Sequence, residues 1–143
     1  MQRIGFIGIG LMGHGMAKNL LKKGHPLCFL VHRNRSNITD LLELKAREAK
    51  NPADLARESD VVILCVTGTP QVEANVYGAH GLLEGARKGQ IVIDCSTSQP
   101  ESTERIRADF AAKGVKFVDA PLAPEGERAA VDPPPQDIDI GCR

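Results

Sequence analysis

The chain has no tryptophan and a single tyrosine, Tyr77, so it carries almost no intrinsic fluorophore with which to follow a ligand. It also lacks an excess of charge of either sign. The 18 Lys+Arg and 18 Asp+Glu residues cancel, which removes the global field that would draw nucleic acid or an anionic membrane. Long apolar runs are missing too. The nearest candidate, Ile4 to Ala17, is interrupted by glycines and His14 and is too short to cross a bilayer as a helix. Arg3 before that stretch imitates a signal peptide, but the glycine spacing has a better explanation. A cytoplasmic setting is expected, or a mitochondrial one if a targeting segment has been removed.

Cys28, Cys65, Cys95 and Cys142 form no Cys-x-x-Cys pair, and the first three sit in apolar runs, as reduced core-filling thiols do. His14, His25, His32 and His80 lack metal-site spacing with one another or with cysteine, so no metal is expected. What is present is the composition of one globular domain: 143 residues, 42% hydrophobic and 25% charged. A chain of this size buries roughly 68–70% of the surface its unfolded form exposes.

Short apolar runs alternate with helix-length amphipathic segments, the pattern of a parallel sheet wrapped by helices. Strands are expected at Arg3 to Ile7, Leu27 to Val31, Val61 to Cys65, Ile91 to Asp94 and Lys116 to Val118, with a weaker one near Glu48 to Lys50. The first helix should bury Met12, Met16 and Leu20, turn Lys18 and Lys22 outward, and end at Lys23-Gly24. Ser36 could cap a helix over Ile38 to Ala46. Asn51-Pro52 and Thr69-Pro70 each read as a helix start, and Ser98-Gln99-Pro100-Glu101 as a capping box opening a helix that runs to Gly114. Six strands and five connections make an α/β, doubly wound parallel sheet, a Rossmann fold, over residues 1–122. Beyond Pro121 the pattern is lost: Pro133-Pro134-Pro135 suits neither helix nor central strand, and residues 123–143 are expected to form an irregular tail.

Gly8-Ile9-Gly10-Leu11-Met12-Gly13 is a G-x-G-x-x-G sequence that leaves the first strand and opens the first helix. In that context Gly8 permits a tight turn, Gly10 admits a pyrophosphate close to the backbone, and Gly13 lets helix and strand pack closely. The helix N-terminus then offers unpaired N–H groups and a partial positive charge to the phosphates. The competing reading is a purely structural turn. A dinucleotide bearing a ribose 2′-hydroxyl calls for a carboxylate at the end of the second strand. Here that segment reads His32-Arg33-Asn34-Arg35-Ser36, two fixed positive charges and no acid, which favours a 2′-phosphate and therefore NADP over NAD. The alternative is that Arg33 and Arg35 are solvated loop charges. Ser96 and Thr97 follow Asp94 at a strand end, where the ligand crevice of such sheets lies, and could equally be turn-forming hydroxyls.

Gly5-Phe6-Ile7-Gly8-Ile9-Gly10-Leu11-Met12-Gly13, Met16-Ala17-Lys18-Asn19-Leu20 and Gly24-His25 together resemble the opening of the β-hydroxyacid dehydrogenases. That family includes 3-hydroxyisobutyrate dehydrogenase, tartronate semialdehyde reductase, glyoxylate and succinic semialdehyde reductases and, more distantly, 6-phosphogluconate dehydrogenase. Asn34-Arg35-Ser36, Asp60-Val61-Val62-Ile63, Asp94-Cys95-Ser96-Thr97-Ser98-Gln99-Pro100 and Asp119-Ala120-Pro121 extend the likeness over roughly residues 1 to 122. The resemblance implies cofactor contacts from Gly8, Gly10, Leu11, Met12 and Gly13. It implies that Asn34, Arg35 and Ser36 hold the 2′-phosphate and that the loop from Val66 to Pro70, with Val66 and Thr67, lies beside the cofactor. Ser96 and Thr97 would stand at the nicotinamide and substrate end, Thr97 serving both. The implied activity is hydride transfer between NADP(H) and a small 3-hydroxy acid, oxo acid or semialdehyde, with no role for nucleic acid or membrane.

The departures bear on activity. Where family members follow Asp-Ala-Pro with a small residue and Ser-Gly-Gly, this chain has Leu122-Ala123-Pro124-Glu125. The family lysine that handles the proton lies on a later, all-helical domain, which also completes the dimer, and none of the eight lysines here has its glycine-rich helical context. No catalytic residue is therefore assigned, the chain looks truncated, and by itself it is expected to be inactive. A noncatalytic NADP-binding module is the main rival. An S-adenosylmethionine-dependent methyltransferase is a remote one, because that class usually wants an acid at the end of the second strand, where Arg33 and Arg35 stand.

Overall fold

The computed structural model describes residues 2–31, 35 and 38–122. Within them the order is β1 (Ile4–Ile7), α1 (Leu11–Lys22), β2 (Leu27–Leu30), α2 (Thr39–Glu43), β3 (Arg47–Glu48), α3 (Pro52–Arg57), β4 (Val61–Leu64), α4 (Thr69–Tyr77), α5 (Leu82–Gly85), β5 (Ile91–Asp94), α6 (Pro100–Ala111) and β6 (Lys116–Asp119). All six strands are parallel, in the order β3-β2-β1-β4-β5-β6. This is the doubly wound Rossmann sheet that the alternation of elements implies. The strand order reverses between β1 and β4, and the crevice at such a reversal is where ligands of open α/β sheets bind.

The central strands are apolar on both faces because helices cover both. Alternate residues sort between two cores. Ile4, Phe6, Leu27, Phe29, Val61 and Ile63 pack against Met16, Ala17 and Leu20 of α1 and Leu41 of α2. Val62, Leu64 and Val92 pack on the other face against Leu55 of α3, Val72 of α4, Leu82 of α5 and Ile106 and Phe110 of α6.

Several local expectations need correction. Met12 does not join the buried stripe of α1; it is 59% exposed and Leu11 is 91% exposed, because the buried face begins at the next residue, Gly13, and continues through Met16, Ala17 and Leu20. The helix expected over Ile38 to Ala46 is only Thr39–Glu43, with Ile38 at its N-cap; Ser36 lies outside the described residues. Its end is set by Lys45, whose φ of 72° lies in the left-handed region, and by the Ala46 amide donating to the Leu41 carbonyl. The weak strand is Arg47–Glu48, two residues on the sheet edge. The helix α5 was not anticipated: four residues are too few to show a period, and Leu82 is buried by packing on the same core as α3.

The capping box is not formed either. Gln99 is the N-cap of α6 without a side-chain bond, while Ser98 Oγ donates instead to Asp94. The helix stops at Ala111, and the chain turns through Gly114 at φ +74°. At α3, by contrast, the Asn51 side chain accepts the Asp54 amide at 2.8 Å with Pro52 just inside, as the sequence implies. Among the described residues no helix is long and apolar enough to cross a membrane, and no three His, Cys, Asp or Glu side chains converge as a metal site would require.

Candidate functional site

The turn from β1 into α1 stands at the strand-order reversal. The Cys65 amide at the end of β4 donates to the Ile7 carbonyl at the end of β1, 2.8 Å away. Gly8 has φ +104°, and a Cβ there would lie 2.0 Å from the Cys65 carbonyl oxygen. A Cβ on Gly13 would lie 1.9 Å from the Gly8 carbonyl oxygen. The fold itself therefore demands glycine at 8 and 13. Gly10 is different: its φ of −89° and ψ of −164° suit any residue, and a Cβ there would meet nothing within 4 Å among the described residues. No contact among the described residues requires that position to be bare.

Gly10 is also the N-cap of α1. It supplies no capping side chain, and the first turn holds no acid, so the N–H groups there have no intrahelical partner and no competing anion. Open space, a bare Cα and unpaired amides at one helix end fit the pyrophosphate of a dinucleotide. The exposed side chains of Leu11 and Met12 flank this opening.

The loops after β4 and β5 form the neighbouring wall and are tied together. The Val66 amide donates to Ser96 Oγ at 2.9 Å, and the Gln99 amide donates to Thr69 Oγ1 at 2.8 Å. Ser96 is 3% exposed, and its own amide donates to Asp94 at 2.8 Å. Asp94 is fully buried; burial pushes its carboxyl above the usual carboxylate range, against the opposing effect of bonds from Ser96 and Ser98. Its ladder partner on β6, Asp119, is shifted upward as well, by burial. Ser96 is thus a brace between two loops, whereas the adjacent Thr97 is exposed at the same strand end, with Val66 half-buried and Thr67 exposed beside it.

On the other side of the glycine turn, Arg35 pairs bidentately with Glu48, Nη1 to Oε1 at 2.6 Å and Nη2 to Oε2 at 2.8 Å. That pairing holds the Glu48 carboxyl below its usual range. Asn34 and Ser36 lie outside the described residues. Sequence reasoning missed Glu48, thirteen residues from Arg35, because only the pairing of β2 with β3 brings it there. It also missed the bracing role of Asp94, although an Asp followed by Ser two and four residues on is the signature of an Asx-type turn. Asp40 of α2 was missed as well. Its carboxylate binds His14 Nε2 at 2.8 Å and Lys18 Nζ at 3.2 Å, a contact that lowers its pKa, chiefly through His14, and ties α2 to α1. The thiols of Cys28 and Cys95 are buried, and burial raises the Cys28 pKa to about 11.

Residues 3–132 match the family model described as the NAD binding domain of 6-phosphogluconate dehydrogenase. Among curated proteins, 3-sulfolactaldehyde reductase of Escherichia coli is 36% identical over 122 residues, which are 85% of this chain and 41% of that protein. The human cytokine-like nuclear factor N-PAC is 30% identical over 122 residues, 85% of this chain and 22% of its own length. The solved structure of Psf3 in complex with NADP+ and 2-OPP superposes with a TM-score of 0.74 at 32% identity, covering 85% of this chain and 43% of that one. The chain thus spans well under half the length of each. With its Rossmann sheet, its glycine turn and a family match over nearly all its residues, the chain belongs to the family of NAD binding domains of 6-phosphogluconate dehydrogenase.

Proposed function

We propose that this domain binds NADP(H) in preference to NAD(H) and serves an oxidoreductase acting on a small 3-hydroxy acid, oxo acid or semialdehyde. The observation that carries the binding site is Gly10, bare where nothing among the described residues needs it to be, at a helix N-terminus without a side-chain cap. The first-turn amides of α1 would receive the pyrophosphate, with Leu11 and Met12 covering it. Arg35, with Asn34 and Ser36 of the same loop, would receive the 2′-phosphate, a role suited to a planar fork of donors. When bound, the nicotinamide supplies hydride chemistry. Val66, Thr67 and Thr97 would line its side of the crevice, and Ser96 would hold that wall in shape through its bonds to Val66 and Asp94. Thr97, exposed in the loop after β5, would be the hydroxyl that meets a substrate, and no residue of this chain is assigned the proton transfer.

The test is a titration of the protein with NADPH and with NADH, followed by the cofactor's own fluorescence. Arg35→Ala should weaken NADPH by about 10- to 100-fold, the worth of hydrogen bonds to a charged group, and leave NADH within about threefold. Equal weakening of both, or of neither, would remove the 2′-phosphate from Arg35.

A second reading is a nucleotide-binding module without turnover, favoured by the relative that is named as a nuclear factor. Oxidation of NADPH by this chain with glyoxylate, succinic semialdehyde or tartronate semialdehyde would defeat it.

A further inference from the structure

The loop after β2 contains no acid, yet the fold places one against its arginine. Glu48 sits opposite Phe29 in the β2–β3 ladder, and the next amide, Ala49, donates to the Phe29 carbonyl at 2.8 Å, so its backbone is fixed to the sheet. From there its two carboxylate oxygens take both arms of the Arg35 guanidinium, at 2.6 and 2.8 Å. Those arms are the donors that a phosphate would use for a bidentate grip. A nucleotide phosphate arriving at Arg35 must either displace Glu48 or sit beside its negative charge, and both weaken binding. A nucleotide with a plain 2′-hydroxyl meets neither penalty.

We propose that Glu48 is a specificity-determining residue, which occupies the Arg35 fork and opposes a 2′-phosphate, so that it narrows the preference of this domain for NADP(H) over NAD(H). The proposal rests on the reading that Arg35 receives the 2′-phosphate. Arg35 and Glu48 are 60% and 31% exposed, so the competition is partly screened and is strongest at low ionic strength.

NADPH and NADH are titrated at low ionic strength into the unaltered protein, Glu48→Gln, Arg35→Ala and the double variant. Glutamine keeps the shape of the side chain, and the exposed edge position leaves folding intact, checked by far-UV circular dichroism. Glu48→Gln is expected to bind NADPH about 3- to 10-fold more tightly, with NADH changed less than about twofold. In the Arg35→Ala background the same substitution should change NADPH affinity by less than half as much on a logarithmic scale, because the fork it liberates is gone. If Glu48→Gln leaves NADPH binding unchanged, the competition does not exist. If it weakens NADPH binding, Glu48 holds Arg35 in its binding posture, and the proposal is overturned in that way. If Arg35→Ala keeps the original ratio of NADPH to NADH affinity, the reading of Arg35 itself fails and takes this proposal with it, a failure visible in a different variant from the first two.

Discussion

Replacing Gly10 and Gly13 separately by alanine adds the same methyl group to one turn, with opposite expected consequences. At Gly13 the new Cβ would stand 1.9 Å from the Gly8 carbonyl oxygen, where close C···O contacts are ordinarily about 3.3 Å. Helix α1 would have to retreat from β1 by more than an ångström at its first turn, against a closely packed core. That overpacking is expected to cost roughly 1–3 kcal/mol of stability, or more. At Gly10 the backbone is ordinary and the methyl meets nothing within 4 Å among the described residues. Alanine caps a helix roughly 0.5–1 kcal/mol less well than glycine, while the lower entropy of its unfolded chain returns a similar amount, so stability should stay within about 0.5 kcal/mol. Binding should behave in the reverse sense. The Gly10 methyl stands where the pyrophosphate would approach the backbone, and because that group is common to both nucleotides, NADPH and NADH should each weaken by at least about 10-fold, or 1.4 kcal/mol. Urea denaturation gives the stability half and cofactor fluorescence the binding half. Gly15→Ala is the control: it lies in the same helix with nothing within 4 Å among the described residues, and it should stabilise by about 0.5–1 kcal/mol without touching affinity. A Gly10→Ala protein that binds both nucleotides as the unaltered chain does would refute the placement of the pyrophosphate there.

Two further perturbations probe the wall of the crevice. Ser96→Ala removes the acceptor of the half-buried Val66 amide and should cost roughly 0.5–1.5 kcal/mol in urea denaturation. Hydrogen exchange at Val66 should accelerate with it, and unchanged exchange would mean that the brace does not hold the loop. Asp94 has a carboxyl raised by burial, so its contribution to stability is fully present below the unfolded value near pH 4 and is lost as the pH rises through its higher folded value. Asp94→Asn retains an acceptor for the Ser96 amide and carries no charge, so the gap between variant and unaltered protein should move in favour of the variant as pH rises from about 4 to 7. Parallel stability profiles across that range would show that Asp94 does not carry the burial penalty.

The strand positions were legible because β1, β4 and β5 are short, β-branched and apolar on both faces, a pattern that only a sheet covered on both sides explains. A doubly wound parallel sheet followed from alternating strands and helices, since parallel strands need crossovers, whereas the order β3-β2-β1-β4-β5-β6 is set by which strands pair in the tertiary structure. What local pattern misjudged were the ends. Met12 keeps the period of the buried stripe yet is exposed, because burial depends on where the sheet beneath α1 stops. Ser98 has the spacing of a cap but donates to Asp94, because a buried carboxylate needs partners more than an exposed helix end does.

The amino-acid sequence by itself determined that this chain builds a glycine turn between a strand and a helix, since G-x-G-x-x-G in that setting has one geometry. It could not separate the glycines the fold needs from the one it does not. That distinction rests on which carbonyl lies beside each Cα, Cys65 at Gly8 and Gly8 at Gly13, with open space at Gly10. Nor could it reveal that the basic loop is answered by an acid. Arg35 and Glu48 are thirteen residues apart and separated by a helix, and they meet only because β3 lies parallel beside β2. Charge along a chain is local information; which charges face one another is decided by strand pairing, and that is a property of the tertiary structure alone.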